Sequence, residues 1–168
     1  MKIKTFQGGY DKNLSYLLYC DVTKYAAIID PATNPIPILE TIENLNLKLS
    51  KIIITHTHFD HIKFLDDYLY YYPTIQINCH EKSKQIFKLN NTLGLCDNET
   101  ISLGEILIIS LFTPGHYYDS ICYWIKNNNL LFTGDTVFVG RPGRTISKTS
   151  NINDLFDSIY SKIFSLPE

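Results

Sequence analysis

The sequence predicts an α/β fold in which mixed sheets are covered by helices. Strand-like and helix-like segments alternate through the middle of the chain, and hairpin signals occur near both ends. In addition, several apolar strand segments are followed directly by polar residues. This combination is typical of sheets that carry helices on their outer faces.

The first third of the chain predicts three antiparallel strands followed by a helix. Residues 2–6, 14–20 and 25–29 are short segments rich in Ile, Leu, Tyr and Val. Apolar residues then recur every three to four positions, as they do on one face of a helix, at Ile38, Ile42, Leu45 and Leu49. The apolar run at residues 51–54 predicts a strand that is buried on both faces.

The remaining elements are predicted from apolar spacing and turn residues. We expect helices over residues 62–72, 81–89 and 152–163. We expect strands over residues 74–79, 105–112, 120–126 and 130–133. Three consecutive asparagines at 127–129 predict the hairpin turn between the last two strands.

Composition limits the classes of function. A chain of 168 residues predicts a single domain, 1–168, with a sizeable core. The 15 basic and 17 acidic residues give a net charge of -2, which argues against nucleic-acid binding. The sequence has no membrane span or signal peptide, so we expect a cytoplasmic protein without membrane partners. The four scattered cysteines predict small buried residues and no disulfide framework.

Polar side chains are most concentrated at residues 56–61, with the sequence H-T-H-F-D-H. Three imidazoles and a carboxylate in six positions are costly to place together unless a cation neutralises the carboxylate and holds the neutral rings. This segment therefore predicts a metal site, which would lie at the end of the strand at 51–54.

Two shorter motifs also follow apolar strands. Residues 113–116 read T-P-G-H, in which Pro and Gly make a tight turn before the histidine. Residues 134–136 read G-D-T. Because open α/β sheets gather their sites at the carboxyl ends of strands, the three motifs are expected to meet at one edge.

The order H-x-H-x-D-H, T-P-G-H, G-D-T resembles the metallo-β-lactamase fold superfamily, which implies an αββα sandwich with a metal site at one edge. Asn13, the segments S-Y-L at 15–17 and I-I-D-P at 28–31, and G-R-T at 143–145 are similar to the glyoxalase II and persulfide dioxygenase branch.

The resemblance implies two metal ions, with zinc the commonest occupant. The first would be held by His56, His58 and His116. The second would be held by Asp60 and His61, and Asp135 would bridge the two. A hydroxide shared by the metals would attack the substrate carbonyl, and Asp60 would have a catalytic role in orienting it.

The sequence departs from the family pattern at several positions. Family members continue into a further strand that carries one more metal-ligating histidine, whereas this sequence ends at Glu168. We therefore expect a sandwich without its last strand and helix, unless the sequence is partial. Ile146 stands where the persulfide dioxygenases have Asp, and Tyr117 stands where Thr is common. The helical domain with which glyoxalase II holds glutathione has no counterpart here.

These observations favour a zinc hydrolase similar to glyoxalase II, acting on a thioester or a similar small acyl compound. The alternative is a persulfide dioxygenase, which would bind one iron(II) ion through His56, His116 and Asp135, a donor set suited to oxygen chemistry. A third hypothesis is a non-catalytic member. Arg144 is a candidate for binding the substrate, although it could equally tie its loop to the sheet. The oligomeric state is left open.

Overall fold

The computed structural model describes residues 1–9, 12–87 and 89–167. Lys88, in the predicted helix at 81–89, and Glu168 lie outside the described residues.

The first sheet has six strands whose spatial order follows the sequence. They are β1 (Lys2–Gly8), β2 (Asn13–Tyr19), β3 (Tyr25–Ile29), β4 (Lys48–Ile53), β5 (Gln76–His80) and β6 (Thr92–Leu95). Strands β1 to β3 are antiparallel, and β3 to β6 are parallel.

The second sheet is antiparallel, with the order β10-β9-β8-β7. Its strands are β7 (Thr100–Leu103), β8 (Ile106–Phe112), β9 (Ile121–Ile125) and β10 (Leu130–Phe132). Asn129 adopts a φ of 47° in the turn before β10, as the asparagine run predicts. A small hairpin, β11 (Val137–Phe138) and β12 (Arg141–Pro142), follows.

Five short α-helices accompany the sheets in the described part of the chain. They are α1 (Pro35–Asn44), α2 (Phe59–Ile62), α3 (Leu65–Tyr71), α4 (Lys84–Phe87) and α5 (Ile152–Asp157). Helix α5 continues as one π-helical stretch, Ser158–Ile163. None of these helices is long and apolar enough to cross a bilayer.

The central strands of the first sheet are buried on both faces, as the run at 51–54 predicts. On one face, Leu17, Ile28 and Ile52 pack against α1 and α3. On the other face, the neighbouring residues, such as Ile29 and Ile53, pack against the second sheet. Each of these side chains contributes about 1.5–3 kcal/mol when fully buried. The layered α/β arrangement that the resemblance implies is confirmed.

The boundaries of two predicted helices were wrong. Leu49 was expected on the face of the first helix, but it lies in β4. Helix α1 ends at Asn44, and Asn46 takes a φ of 50°, which turns the chain so that β4 can pair with β3. Of the predicted helix at 62–72, only Leu65–Tyr71 forms a helix of its own, α3; Ile62 is the last residue of α2, and Lys63 and Phe64 separate the two helices.

Strands β6 and β7 were not predicted. Each has four residues, and β6 contains Gly94. They form because β5 and β8 offer backbone partners, so sheet pairing outweighs the weak local preference. Three cysteines are buried, as expected, whereas Cys96 is exposed.

The T-P-G-H turn is clamped by the last helix. Gly115 has a φ of 131°, and a Cβ at this position would lie 2.2 Å from the backbone nitrogen of Leu155 in α5. In addition, Ser158 Oγ donates a hydrogen bond of 2.7 Å to the Pro114 carbonyl. This contact fixes the backbone immediately before His116.

We therefore expect Gly115→Ala to lower the free energy of unfolding by about 3 kcal/mol or more, because backbone strain and a backbone clash add together. Gly140→Ala is the matched control: Gly140 also has a positive φ, 77°, but a Cβ there meets nothing within 4 Å. The control should lose only about 1–2 kcal/mol. Urea denaturation of both variants measures the difference, and equal losses would contradict the clamp.

Candidate metal centre

The three polar motifs meet at one edge of the sandwich, where strands of both sheets end. Residues 56–61 follow β4, the T-P-G-H turn follows β8, and Asp135 follows β10. The two sheets are joined here, because Ile121 N at the start of β9 donates a hydrogen bond of 2.9 Å to the Thr55 carbonyl. The predicted convergence of the motifs is therefore present.

Three ring nitrogens converge at this edge. His58 Nδ1 lies 3.0 Å from His56 Nε2 and 3.0 Å from His116 Nε2. We call these three residues the trihistidine group; one ligand atom from each lies within 4.8 Å of the others. A tetrahedral zinc ion with bonds of about 2.0–2.1 Å separates its ligands by roughly 3.3–3.4 Å. The spacing of the three nitrogens is close to that value.

A second set of possible ligands lies beside the first. His56, His61 and Asp135 also offer ligand atoms within 4.8 Å of one another, and we call them the mixed group. Asp135 lies between the two groups: its Oδ1 is 3.2 Å from His61 Nε2, and its Oδ2 is 3.6 Å from His116 Nε2. One oxygen of this carboxylate therefore faces a histidine of each group.

Two histidines of the trihistidine group, His56 and His58, have the protonation state that a metal needs. Burial, together with the neighbouring imidazoles, holds the pKa of His56 well below its usual range. Burial also lowers the pKa of His58. A neutral ring can donate a lone pair to a cation.

His61 and Asp135 interact differently. Burial disfavours the charged form of His61, but Asp30 and Asp135 outweigh this effect and raise its pKa to about 10. Burial raises the pKa of Asp135, but the close approach and the charge of His61 outweigh this effect and lower the pKa.

Two of the histidines are held by hydrogen bonds on the ring nitrogen that faces away from the centre. His116 Nδ1 donates to the Arg144 carbonyl over 2.7 Å. His61 Nδ1 donates to Asp30 Oδ2 over 2.8 Å. Such bonds fix the tautomer and leave Nε2 available for a metal.

Asp30 is a functional residue whose role at this site was not predicted. It is buried, and its carboxylate also accepts hydrogen bonds from Thr55 N over 2.8 Å and from Thr55 Oγ1 over 2.6 Å. In the sequence, Asp30 is simply the polar residue between the end of β3 and Pro31. Its role could have been inferred only from the parallel pairing of β3 with β4, which places Asp30 beside the start of the H-x-H-x-D-H segment.

The donor set fits a metal. His61 Nε2 is fully buried and has no hydrogen-bond partner within the described residues, although Asp135 Oδ1 lies 3.2 Å away. A buried nitrogen without a partner is costly. The two 3.0 Å contacts between ring nitrogens in the trihistidine group also suit a shared cation. A bound ion would satisfy both sets.

The two groups differ from the predicted ligand sets in one respect. Asp60, predicted as a ligand of the second metal, belongs to neither group; its Oδ2 lies 3.9 Å from His61 Nε2 and accepts a hydrogen bond of 2.7 Å from Asn13. His56 takes part in both groups instead.

The side chain of Arg144 is exposed, and its carbonyl, rather than its guanidinium, holds His116. Its predicted contact with substrate stays a prediction.

A cavity of about 610 Å³ opens beside His61 and Asp135. It is lined by aromatic residues, including Tyr16 and Phe138, and by the basic residues Lys12 and Arg141. The volume is in the range of small-molecule sites.

Comparison with known proteins agrees with the geometry. Residues 8–165 match the metallo-β-lactamase superfamily. The chain belongs to this superfamily. A probable hydroxyacylglutathione hydrolase of Schizosaccharomyces pombe is 36% identical over 141 residues, which cover 81% of this chain and 53% of that protein. A probable polyketide biosynthesis zinc-dependent hydrolase of Bacillus velezensis is 31% identical over 167 residues, covering 99% of this chain and 73% of the relative.

The crystal structure of ETHE1 from Myxococcus xanthus superimposes with a TM-score of 0.89 at 25% identity, and covers 100% of this chain and 72% of that one. This chain spans about half the length of the S. pombe relative. The predicted resemblance to the family and to this branch is confirmed.

We expect Asp30→Asn to weaken zinc binding about 10- to 100-fold, because an amide has only one acceptor oxygen and cannot accept all three hydrogen bonds from Thr55 and His61. Competition with a chromogenic chelator gives the dissociation constant. Asp21→Asn is the control, since Asp21 is an exposed residue that pairs with Lys24. Equal zinc affinity in the two variants would contradict the role given to Asp30.

Proposed function

We propose that this superfamily member is a metal-dependent hydrolase that cleaves a thioester or a similarly activated acyl compound with two zinc ions. The observation that carries the proposal is the convergence of His56, His58 and His116 within hydrogen-bonding distance, beside a second group that shares His56. The names of the S. pombe and B. velezensis relatives support hydrolysis and zinc.

In this proposal, the trihistidine group holds the first ion, and His61 and Asp60 hold the second. Asp135 bridges the two, which its position supports, because its oxygens face His61 and His116 separately. Zinc ions bound there would polarise the substrate carbonyl and lower the pKa of water.

The surrounding residues would orient the reactants. Asn13 Nδ2 holds Asp60 Oδ2, and the side chain of Asp60 is 44% exposed. We assign Asp60 the role of orienting the attacking water, because a fixed and accessible carboxylate can accept its proton. The cavity next to His61 would hold the acyl part of a small substrate against Tyr16 and Phe138. Arg144, at the exposed edge of the site, is assigned to an anionic group of the substrate.

A second candidate function is that of a mononuclear iron persulfide dioxygenase. His56, His116 and Asp135 supply two imidazoles and one carboxylate, and His116 Nε2 lies 3.6 Å from Asp135 Oδ2. The similarity to ETHE1 gives this candidate specific support. Its donor set does not require His58 or Asp60.

Metal analysis of the purified protein distinguishes the two functions. We expect about two zinc ions per chain, in keeping with the two groups of donors. With glutathione persulfide as substrate, we expect no oxygen uptake. About one iron ion per chain together with oxygen consumption would support the dioxygenase instead, and a protein without metal would contradict both proposals.

We expect His58→Ala to abolish hydrolysis of a glutathione thioester, measured as release of free thiol, because it removes one of three ligands of the first ion. His80→Ala is the control. His80 is also buried, but its ring stacks on Phe112 at 4.0 Å and it belongs to neither group of donors. The control should lose stability and keep its metal. Undiminished hydrolysis by His58→Ala would refute the hydrolase.

A further inference from the structure

One buried carboxylate has no role in the proposed reaction. Asp119 lies in the turn between His116 and β9 and is only 1% exposed. In the described part of the chain, no cationic side chain lies within 4 Å of it. Burying a carboxylate without a cation is costly unless hydrogen bonds compensate.

The hydrogen bonds that Asp119 accepts come from two other segments. Thr57 donates through Oγ1 over 2.5 Å to Oδ2 and through its backbone nitrogen over 3.4 Å to Oδ1. Ser83, in the turn after β5, donates its hydroxyl to Oδ2. A single carboxylate thus joins the H-x-H-x-D-H segment, the turn after β5 and the turn before β9.

Thr57 lies between two members of the trihistidine group, His56 and His58. Its backbone and side chain are both held by Asp119, so the peptide units on either side have little freedom to rotate. A second contact between the same two segments acts on His58 directly: its ring packs against the ring of Tyr117, with 4.0 Å between centroids. The turn that contains His116 therefore fixes the positions of the other two histidines.

We propose that Asp119 is a positioning residue for the first metal: it acts through Thr57 to hold His56 and His58 at the spacing that the ion requires. The inference rests on the proposed metal centre. Residues that orient metal ligands in this way typically change metal affinity 10- to 100-fold when they are replaced.

A purely structural role for Asp119 predicts a different result. The hydrogen bond from Ser83 ties Asp119 to the turn after β5 and does not touch the H-x-H-x-D-H segment, whereas the bonds from Thr57 act between two ligands. If Asp119 only stabilises the fold, loss of either partner should lower stability without a specific effect on zinc.

The test compares three variants, Asp119→Asn, Thr57→Val and Ser83→Ala. We measure the zinc dissociation constant of each by chelator competition and the melting temperature of each apo-protein by calorimetry. Asp119→Asn and Thr57→Val should weaken zinc binding about 10-fold or more, and the double variant should lose no more than the larger single effect, since both remove the same interaction. Ser83→Ala should lower the melting temperature and leave the zinc affinity unchanged. The visible spectrum of cobalt-substituted protein should change only in the first two variants.

Equal zinc affinity in Thr57→Val and wild type, or additive losses in the double variant, would overturn the inference. So would losses of zinc affinity in all three variants that follow the melting temperature. Failure of the wild type to bind zinc would instead contradict the proposed function, so the two failures are distinguishable. Thr57→Val keeps the buried carboxylate in place, which guards against a result that reflects misfolding of Asp119→Asn.

Discussion

The buried carboxylate of Asp30 accepts three hydrogen bonds. The rest of the edge of the sandwich where the three motifs meet depends on them. Parallel pairing of β3 with β4 brings Asp30 beside Thr55, and the cost of burying its charge requires donors. Those donors are Thr55, immediately before the H-x-H-x-D-H segment, and His61, at its end. The segment cannot move from the edge of the sheet without leaving the carboxylate unpaired, so the stability of the fold and the shape of the site are coupled.

Asp119 has an equivalent place on the other side of the centre. It too is buried, and it too accepts hydrogen bonds from the H-x-H-x-D-H segment, at Thr57. The segment is therefore held by one carboxylate that follows β3 of the first sheet and by another in the turn between β8 and β9 of the second sheet. Both carboxylates are buried beside the segment of candidate ligands, so cations bound there would lower the cost of burying their charges. This gives a physical reason for a metal centre here that is independent of the motif.

The candidate ligands stand out in the sequence because residue types with distinct chemistry are clustered and follow apolar strands. His56, His58 and His116 met as expected. The supporting carboxylates could not be predicted, because Asp30 reads locally as a strand-ending residue and Asp119 as part of a turn. Their roles depend on which segments the fold brings together. The same limit applies to Leu49, whose spacing suits a helix but whose backbone pairs with β3.

The two candidate functions share most of their donors, and His58 is where they differ. An ion bound only by His56, His116 and Asp135 would leave His58 without a role. Yet His58 Nδ1 lies 3.0 Å from both of the other imidazole nitrogens, and Tyr117 packs against its ring. A cation placed between His56 and His116 would therefore also contact His58. This geometry favours a first site with three histidines over a site with two histidines and a carboxylate, and in the proposed two-zinc centre Asp135 would join the first ion to the second.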